Sequence, residues 1–182
     1  MFKELSLIEG CIKTFVEKFL QMPYIFWSES DAKCYLYHFL ILTPALQNRY
    51  KTLDGKVTNL IHTEYKSRSG GRFDIAIINP KTIEQRPFNN QNLLCGIELG
   101  LDCGSDHFAL DFARKLRKEA ENPIDFGYII HFMRNRLDIW DDTVQDIINN
   151  LMPPNSEFLV QPTKTGECGV LVVKVRVKEQ EA

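Results

Sequence analysis

The feature that most constrains the fold is an apolar strand, followed by an amphipathic helix and a second apolar strand. LLCGIELGL (93–101) and GYIIHFM (127–133) are apolar almost throughout, and the helix predicted between them, SDHFALDFARKLRKEAEN, repeats apolar residues at spacings of three and four. Strands joined by a crossover of this length lie parallel in one sheet. The sequence therefore predicts an α/β domain in which helices pack on a sheet.

The segments on either side of this unit complete a predicted element order of ααβββαβαββ. Residues 3–22 and 28–42 are predicted helices, and from residue 57 the period changes to that of two strands, VTNLIHTEY and RFDIAII, joined by a glycine-containing turn. A helix and two strands, EFLVQ and VLVVKVRVK, end the chain. This order predicts a mixed central β-sheet flanked by helices, whose first three strands form an antiparallel meander.

Length and charge limit the class of protein. The 182 residues fit a single domain, 1–182, with N-terminal helices in residues 1–45 and a polar insertion at about 80–92. A net charge of -2 excludes a protein that coats nucleic acid through positive charge alone. Charged residues interrupt the N-terminal apolar segment and no later segment is long enough to span a bilayer, so we expect a cytoplasmic protein without membrane contact.

The cysteines and histidines give only a weak metal signal. Five cysteines, odd in number and without a C-x-x-C pair, favour a reducing compartment over disulfides or a structural zinc site. Cys103 and His107 have the spacing of metal ligands, but the sequence offers no second pair to complete a tetrahedral site. All four histidines are therefore interpreted as structural or solvated: His38, His62, His107 and His131.

Two predicted strand interiors each contain one acid, Asp74 in RFDIAII and Glu98 in LLCGIELGL. Because alternate side chains of a strand share a face, Asp74 points away from Phe73. By the same rule Glu98 shares its face with Gly96 and Gly100, which leave open space. If the strands are neighbours, the carboxylates converge there, and a divalent cation offsets their burial and repulsion. The alternative is that each acid lies on a solvated strand face.

The order of these elements resembles that of the PD-(D/E)XK nuclease superfamily: a helix with an acid, a meander containing FDIAI, the strand GIELG, the helix segment DFARKL and the strand GYIIHF. The resemblance implies a restriction-endonuclease-like fold and metal-dependent hydrolysis of phosphodiesters. Asp74 and Glu98 take the positions of the family's two acids, which bind Mg²⁺ or Mn²⁺. Glu29 resembles the additional helical acid of many members, with Asp31 as the second candidate. Glu29 equally fits an acid that only favours its helix N-terminus.

The family lysine, two residues after the second acid, is replaced here by Gly100. In the family this lysine positions the attacking water and stabilises charge on the phosphate. A lysine from elsewhere can take its role, and Lys115 is the first candidate and Lys66 the second. Two alternatives stay open: a catalytically inactive module that keeps the fold and binds nucleic acid or a protein, and an unrelated α/β domain whose two strand acids are coincidental.

Basic clusters near the two acids are predicted to contact phosphates of nucleic acid. DNA is expected as the substrate before RNA. The resemblance also allows a homodimer or a protein complex. Their members are Lys66, Arg68 and Arg72 around the turn, and Arg114, Lys115, Arg117 and Lys118 on the helix after Glu98. His62 and Glu64 share a strand face and are expected near the acids. A third basic set, on the last strand, is interpreted as protection of a sheet edge: Lys174, Arg176 and Lys178.

Overall fold

The structure, a computed structural model, describes residues 3–66, 72–111 and 124–177. It is an α/β arrangement of one six-stranded mixed sheet and one two-stranded sheet, flanked by helices. The helices are α1 (Lys3–Gln21), α2 (Glu29–Leu42), α3 (Ser105–Asp111) and α4 (Trp140–Asp146), and the last continues into a π-helical turn, Ile147–Leu151. In the described residues no helix combines the length and the apolar composition that crossing a bilayer requires.

The six-stranded sheet has the order β3–β4–β5–β6–β8–β7. Its strands are β3 (Ile61–Lys66), β4 (Arg72–Ile78), β5 (Leu93–Leu101), β6 (Ile124–Met133), β7 (Ser156–Lys164) and β8 (Gly169–Arg176). Only β5 and β6 pair in parallel, and the other neighbours are antiparallel. The predicted mixed sheet, its parallel pair and its antiparallel β3–β4–β5 meander are therefore confirmed.

Two predictions about strands are wrong. The strand expected over 57–65 is interrupted at Leu60: β2 (Val57–Asn59) pairs with β1 (Arg49–Lys51) in the two-stranded sheet, and the chain joins the large sheet from Ile61 onward. The last strand, β8, is not an edge, because it lies between β6 and β7. Its Lys174 instead bonds Glu9 of α1 at 2.7 Å and Glu157 of β7 at 3.3 Å.

Helices cover both faces of the large sheet. On one face, the rings of Phe15 and Phe19 of α1 lie 5.9 and 5.0 Å from that of Phe132, and α2 packs beside α1 on β3, β4 and β5. On the other face, Trp140 of α4 stacks on His131, the residue before Phe132. Because neighbouring strand residues point to opposite faces, β6 separates the α1–α2 layer from the α3–α4 layer.

Two local features hold the ends of elements near the candidate site. Ser28 and Asp31 form a capping box at the start of α2: the Asp31 N–H donates to Ser28 Oγ and the Ser28 N–H to Asp31 Oδ2. The polar insertion between β4 and β5 contains two short 3-10 helices and is tied down by Gln91, whose side-chain amide lies within bonding distance of the carbonyls of residues 83, 86 and 87. The capping box holds the start of α2, and the Gln91 contacts hold the insertion that leads into β5.

Candidate functional site

A lysine that the sequence analysis did not single out lies among the predicted acids. Lys33 of α2 pairs with the carboxylate of Glu64 on β3, and its Nζ lies 3.8 Å from Asp74 Oδ1 on β4. The side chains of Lys33 and Asp74 are each only 16% exposed, whereas that of Glu64 is 48% exposed. We call these three residues the Lys33 cluster.

The charges of this cluster keep the lysine protonated. Burial, the largest single contribution, lowers the pKa of Lys33, but the hydrogen bond with Glu64 and the charges of Asp74, Glu64 and Glu29 together outweigh it and raise that pKa above its ordinary value. At neutral pH the side chain is therefore an ammonium ion, which can stabilise negative charge but cannot accept a proton.

An unusual backbone conformation at Glu64 belongs to the cluster. Its φ of 52° lies in the left-handed region, which residues other than glycine rarely adopt. Beyond Lys33, its carboxylate lies 3.9 Å from the guanidinium of Arg72, which is two-thirds exposed. The expectation that Glu64 lies near Asp74 is confirmed. His62 is held elsewhere, with Nε2 3.1 Å from Thr58 Oγ1 and 3.0 Å from the Asn59 carbonyl.

The strands that carry the two predicted acids are neighbours. Ala76 pairs with Gly96 and Ile75 with Ile97, and the regular pairing of β4 with β5 ends there, next to Asp74. The carboxylate of Asp74 accepts the N–H of Leu99 at 2.9 Å, so it contacts the backbone directly after Glu98. Glu98 itself is 0% exposed. Because a carboxylate without compensating contacts is costly to bury, Glu98 is not an acid on a solvated strand face.

The open space expected beside these acids is filled, and that expectation is wrong. A Cβ on Gly96 would lie 2.6 Å from the ring of Phe73, so this ring packs on the face of Gly96 and not on the opposite face that strand alternation predicts. A Cβ on Gly100 would lie 3.1 Å from His107 Nδ1 and 3.5 Å from His131 Nδ1. The position of the family lysine is therefore covered by two imidazole rings.

Glu29 extends from the start of α2 towards the end of β5. Its Oε2 accepts the N–H of Leu101 at 3.4 Å, and its carboxylate lies in a group with Cys103 and His107 whose candidate ligand atoms are all within 4.8 Å of one another. Asp31, the second candidate for a helical metal ligand, uses its carboxylate in the capping box of α2.

The predicted basic residues are only partly described. Lys66 and Arg72 are paired in register at the end of the β3–β4 hairpin where the chain passes from β3 to β4, and both are exposed. The remaining predictions lie outside the described residues: Arg68, Arg114, Lys115, Arg117, Lys118 and Lys178. The signal that could have identified Lys33 is its position four residues after Glu29 on α2, since residues so spaced share a helix face.

Comparison of the chain with models of protein families, with curated proteins and with solved structures found no match. The chemistry that the side chains around β4, β5 and the start of α2 allow therefore carries the functional conclusion.

Proposed function

We propose that the protein hydrolyses phosphodiester bonds of nucleic acid with the help of a divalent metal ion, and that Lys33 replaces the lysine missing at Gly100. The observation that carries the proposal is the placement of the Lys33 ammonium 3.8 Å from Asp74 Oδ1, beside the strand that contains Glu98. Two strand acids with one nearby lysine make up the residue set that the PD-(D/E)XK resemblance implies.

The residues present fit a hard divalent cation. Asp74 and Glu98 offer carboxylate oxygens, the donors that Mg²⁺ and Mn²⁺ prefer, and they lie on the neighbouring strands β4 and β5. Asp74 and Glu98 would hold the ion, and a third ligand role for Glu29 stays a prediction. When bound, such an ion lowers the pKa of a water molecule and neutralises charge on a phosphodiester.

The role of Lys33 follows from its protonation state. Because nearby carboxylates raise its pKa, the ammonium stabilises the charge that develops on the phosphate and does not act as a general base. Loss of one preorganised donor at a reaction centre lowers the rate by on the order of 10²–10³. Its attachment to α2, a regular helix, fixes its position relative to Asp74.

The outer end of the β3–β4 hairpin is the proposed nucleic-acid contact. Lys66 and Arg72 place two exposed cations next to the Lys33 cluster. A cleft of about 350 Å³ runs along β3 between Glu64 and the insertion that carries Phe88. Phosphate contacts of lysine and arginine fix a nucleic acid in position without reading its sequence, and DNA is the substrate expected before RNA.

A second candidate function is an inactive module of the same fold that binds nucleic acid or a protein. Lys33 already pairs with Glu64 and Asp74, so these acids are compensated without any metal ion. The rings of His107 and His131 also cover Gly100, so a lysine there would have to displace the His107 ring. Both observations fit a protein that kept the residues around β5 for packing alone.

The deciding experiment measures cleavage of single- and double-stranded DNA and RNA with Mg²⁺ or Mn²⁺. Wild type is compared with Asp74→Ala and Lys33→Met, and Lys13→Met, an exposed position on α1, is the matched control. We expect metal-dependent cleavage that Asp74→Ala abolishes, that Lys33→Met lowers by roughly 10²–10³, and that the control retains. Nucleic-acid binding without cleavage by the wild type, weakened by Lys66→Ala or Arg72→Ala, supports the inactive module instead.

A further inference from the structure

We propose that Glu29, Cys103 and His107 form a binding site for a zinc ion at the end of β5. This site is separate from the Asp74 and Glu98 carboxylates proposed for the nuclease reaction, and it goes beyond that function. It assigns the Glu29 carboxylate to zinc in place of the third-ligand role predicted for the nuclease metal. It joins two residues that the sequence places four apart to a third from α2, and the three candidate ligand atoms lie within 4.8 Å of one another.

The spacing of the three atoms is close to that of a bound ion. Zinc bonds of about 2.0–2.3 Å in a tetrahedral arrangement set ligand atoms roughly 3.3–3.6 Å apart. The largest separation in the group therefore has to contract by up to about 1.5 Å, which side-chain rotation supplies. All three side chains are half-buried, so they are screened from bulk water yet remain accessible to an ion.

The backbone of Leu101 holds two of the ligands in place. Its N–H donates to Glu29 Oε2 at 3.4 Å, and its carbonyl accepts the thiol hydrogen of Cys103 at 3.1 Å. Before an ion binds, the carboxylate and the sulfur are thus both hydrogen-bonded to the backbone of Leu101, although Glu29 and Leu101 are 72 residues apart in sequence. Zinc binding would release the thiol proton, and the bond from sulfur to zinc would replace the hydrogen bond of Cys103.

The turn between Leu101 and Cys103 is held in a rare conformation. Asp102 has a φ of 55°, in the left-handed region. Its carboxylate accepts the backbone N–H groups of Arg134 at 2.7 Å and of Asn135 at 2.9 Å, and it also pairs with the Arg134 guanidinium. These bonds stabilise the strained turn, which directs Cys103 back towards Glu29 and His107.

Gly100 provides the space for the third ligand. The ring of His107 lies over it, with Nδ1 3.1 Å from where a Cβ would be, and any side chain at this position would push the ring outward. The glycine that removes the family lysine therefore seats the histidine of the proposed site. The absence of a side chain at Gly100 therefore has a physical reason, which is to make room for the His107 ring.

The ligand types select zinc over magnesium. A thiolate and an imidazole are soft and borderline donors that bind Zn²⁺ well, whereas Mg²⁺ prefers oxygen donors alone. Three protein ligands leave one tetrahedral position for water. The ion would also link the start of α2 to the turn between β5 and α3, and so stabilise the native state.

The test uses the full chain after removal of bound metal by a chelator. Zn²⁺ affinity is measured by competition with a chromophoric chelator, and Co²⁺ serves as a spectroscopic substitute whose thiolate-to-metal absorption reports a cysteine ligand. We expect one ion per chain, a Co²⁺–thiolate band that Cys103→Ser abolishes, and affinity losses in Glu29→Gln and His107→Gln larger than the roughly 10–100-fold caused by losing an outer partner.

Controls separate the site from other groups. Cys34→Ser, an exposed cysteine on α2, and His62→Gln, held by the β2–β3 bend, are expected to bind zinc as the wild type does. Asp74→Ala is expected to lose cleavage while keeping zinc, so failure of one proposal does not imply failure of the other. Absence of a Co²⁺–thiolate band in the wild type overturns the site without any variant. An unchanged zinc affinity in Cys103→Ser, His107→Gln or Glu29→Gln also overturns it.

Discussion

Replacement of Lys33 by methionine is the perturbation that most directly tests the cluster around Asp74. Methionine keeps much of the apolar stem and removes the ammonium, so the change isolates the charge. Glu64 is 48% exposed, and its pair contributes no more than about 1 kcal/mol. Asp74 is only 16% exposed, so loss of its cation costs more than at an exposed pair. The cost stays below the roughly 3–5 kcal/mol of breaking a fully buried ion pair.

We therefore expect Lys33→Met to lower the free energy of unfolding by about 1–2 kcal/mol. In a domain of this size that corresponds to a fall in Tm of roughly 2–8 °C. Urea denaturation of wild type, Lys33→Met, Asp74→Asn and the double variant gives the coupling energy between the two side chains. Asn keeps an oxygen that can accept the Leu99 N–H, so the cycle reports the ion pair rather than loss of that hydrogen bond.

The pH dependence has a definite sign. The pKa of Lys33 is raised in the folded state, so its stabilising contribution is complete below the ordinary lysine pKa of about 10.4 and is lost as pH rises through the higher folded value. The difference between wild type and Lys33→Met is expected to stay constant from about pH 6 to 9 and to shrink only in stronger alkali. A coupling energy near zero, or a difference that disappears below about pH 9, would refute the reasoning.

Two substitutions at glycines test the packing around β5. Gly96→Ala is expected to lower the free energy of unfolding by roughly 1–3 kcal/mol, because its Cβ would lie 2.6 Å from the Phe73 ring. The control in urea denaturation is Gly10→Ala, whose Cβ would have no atom within 4 Å. Equal free energies of unfolding for the two variants would contradict the packing of Phe73 on Gly96. Gly100→Lys is expected not to raise the cleavage rate, because the His107 ring covers the position. The double variant Gly100→Lys, His107→Gly is expected to raise the rate. An increase in Gly100→Lys alone would show that the His107 ring moves away freely.

The spacing of apolar residues identified most elements of the fold, because this spacing repeats within each helix or strand. The apolar positions of α1 at helical spacing are its buried residues, and β5 and β6 are apolar because helices cover both faces of the sheet. The break at Leu60 was missed because β2 and β3 pair with different strands, β1 and β4, and pairing partners cannot be read from the local pattern. The interior position of β8 was missed because alternating charge fits an edge equally well when ion-pair partners are unknown.

The sequence alone determined the two N-terminal helices, the parallel pair of β5 and β6 and the two strand acids, since each is written in residues close together along the chain. The tertiary structure alone decided which cation meets Asp74 and what fills the space over Gly100. Lys33 and Glu64 are 31 residues apart, and Glu29 and Leu101 are 72 apart. Contacts over such separations depend on how helices and strands pack, because burial and charge act through space and not along the chain.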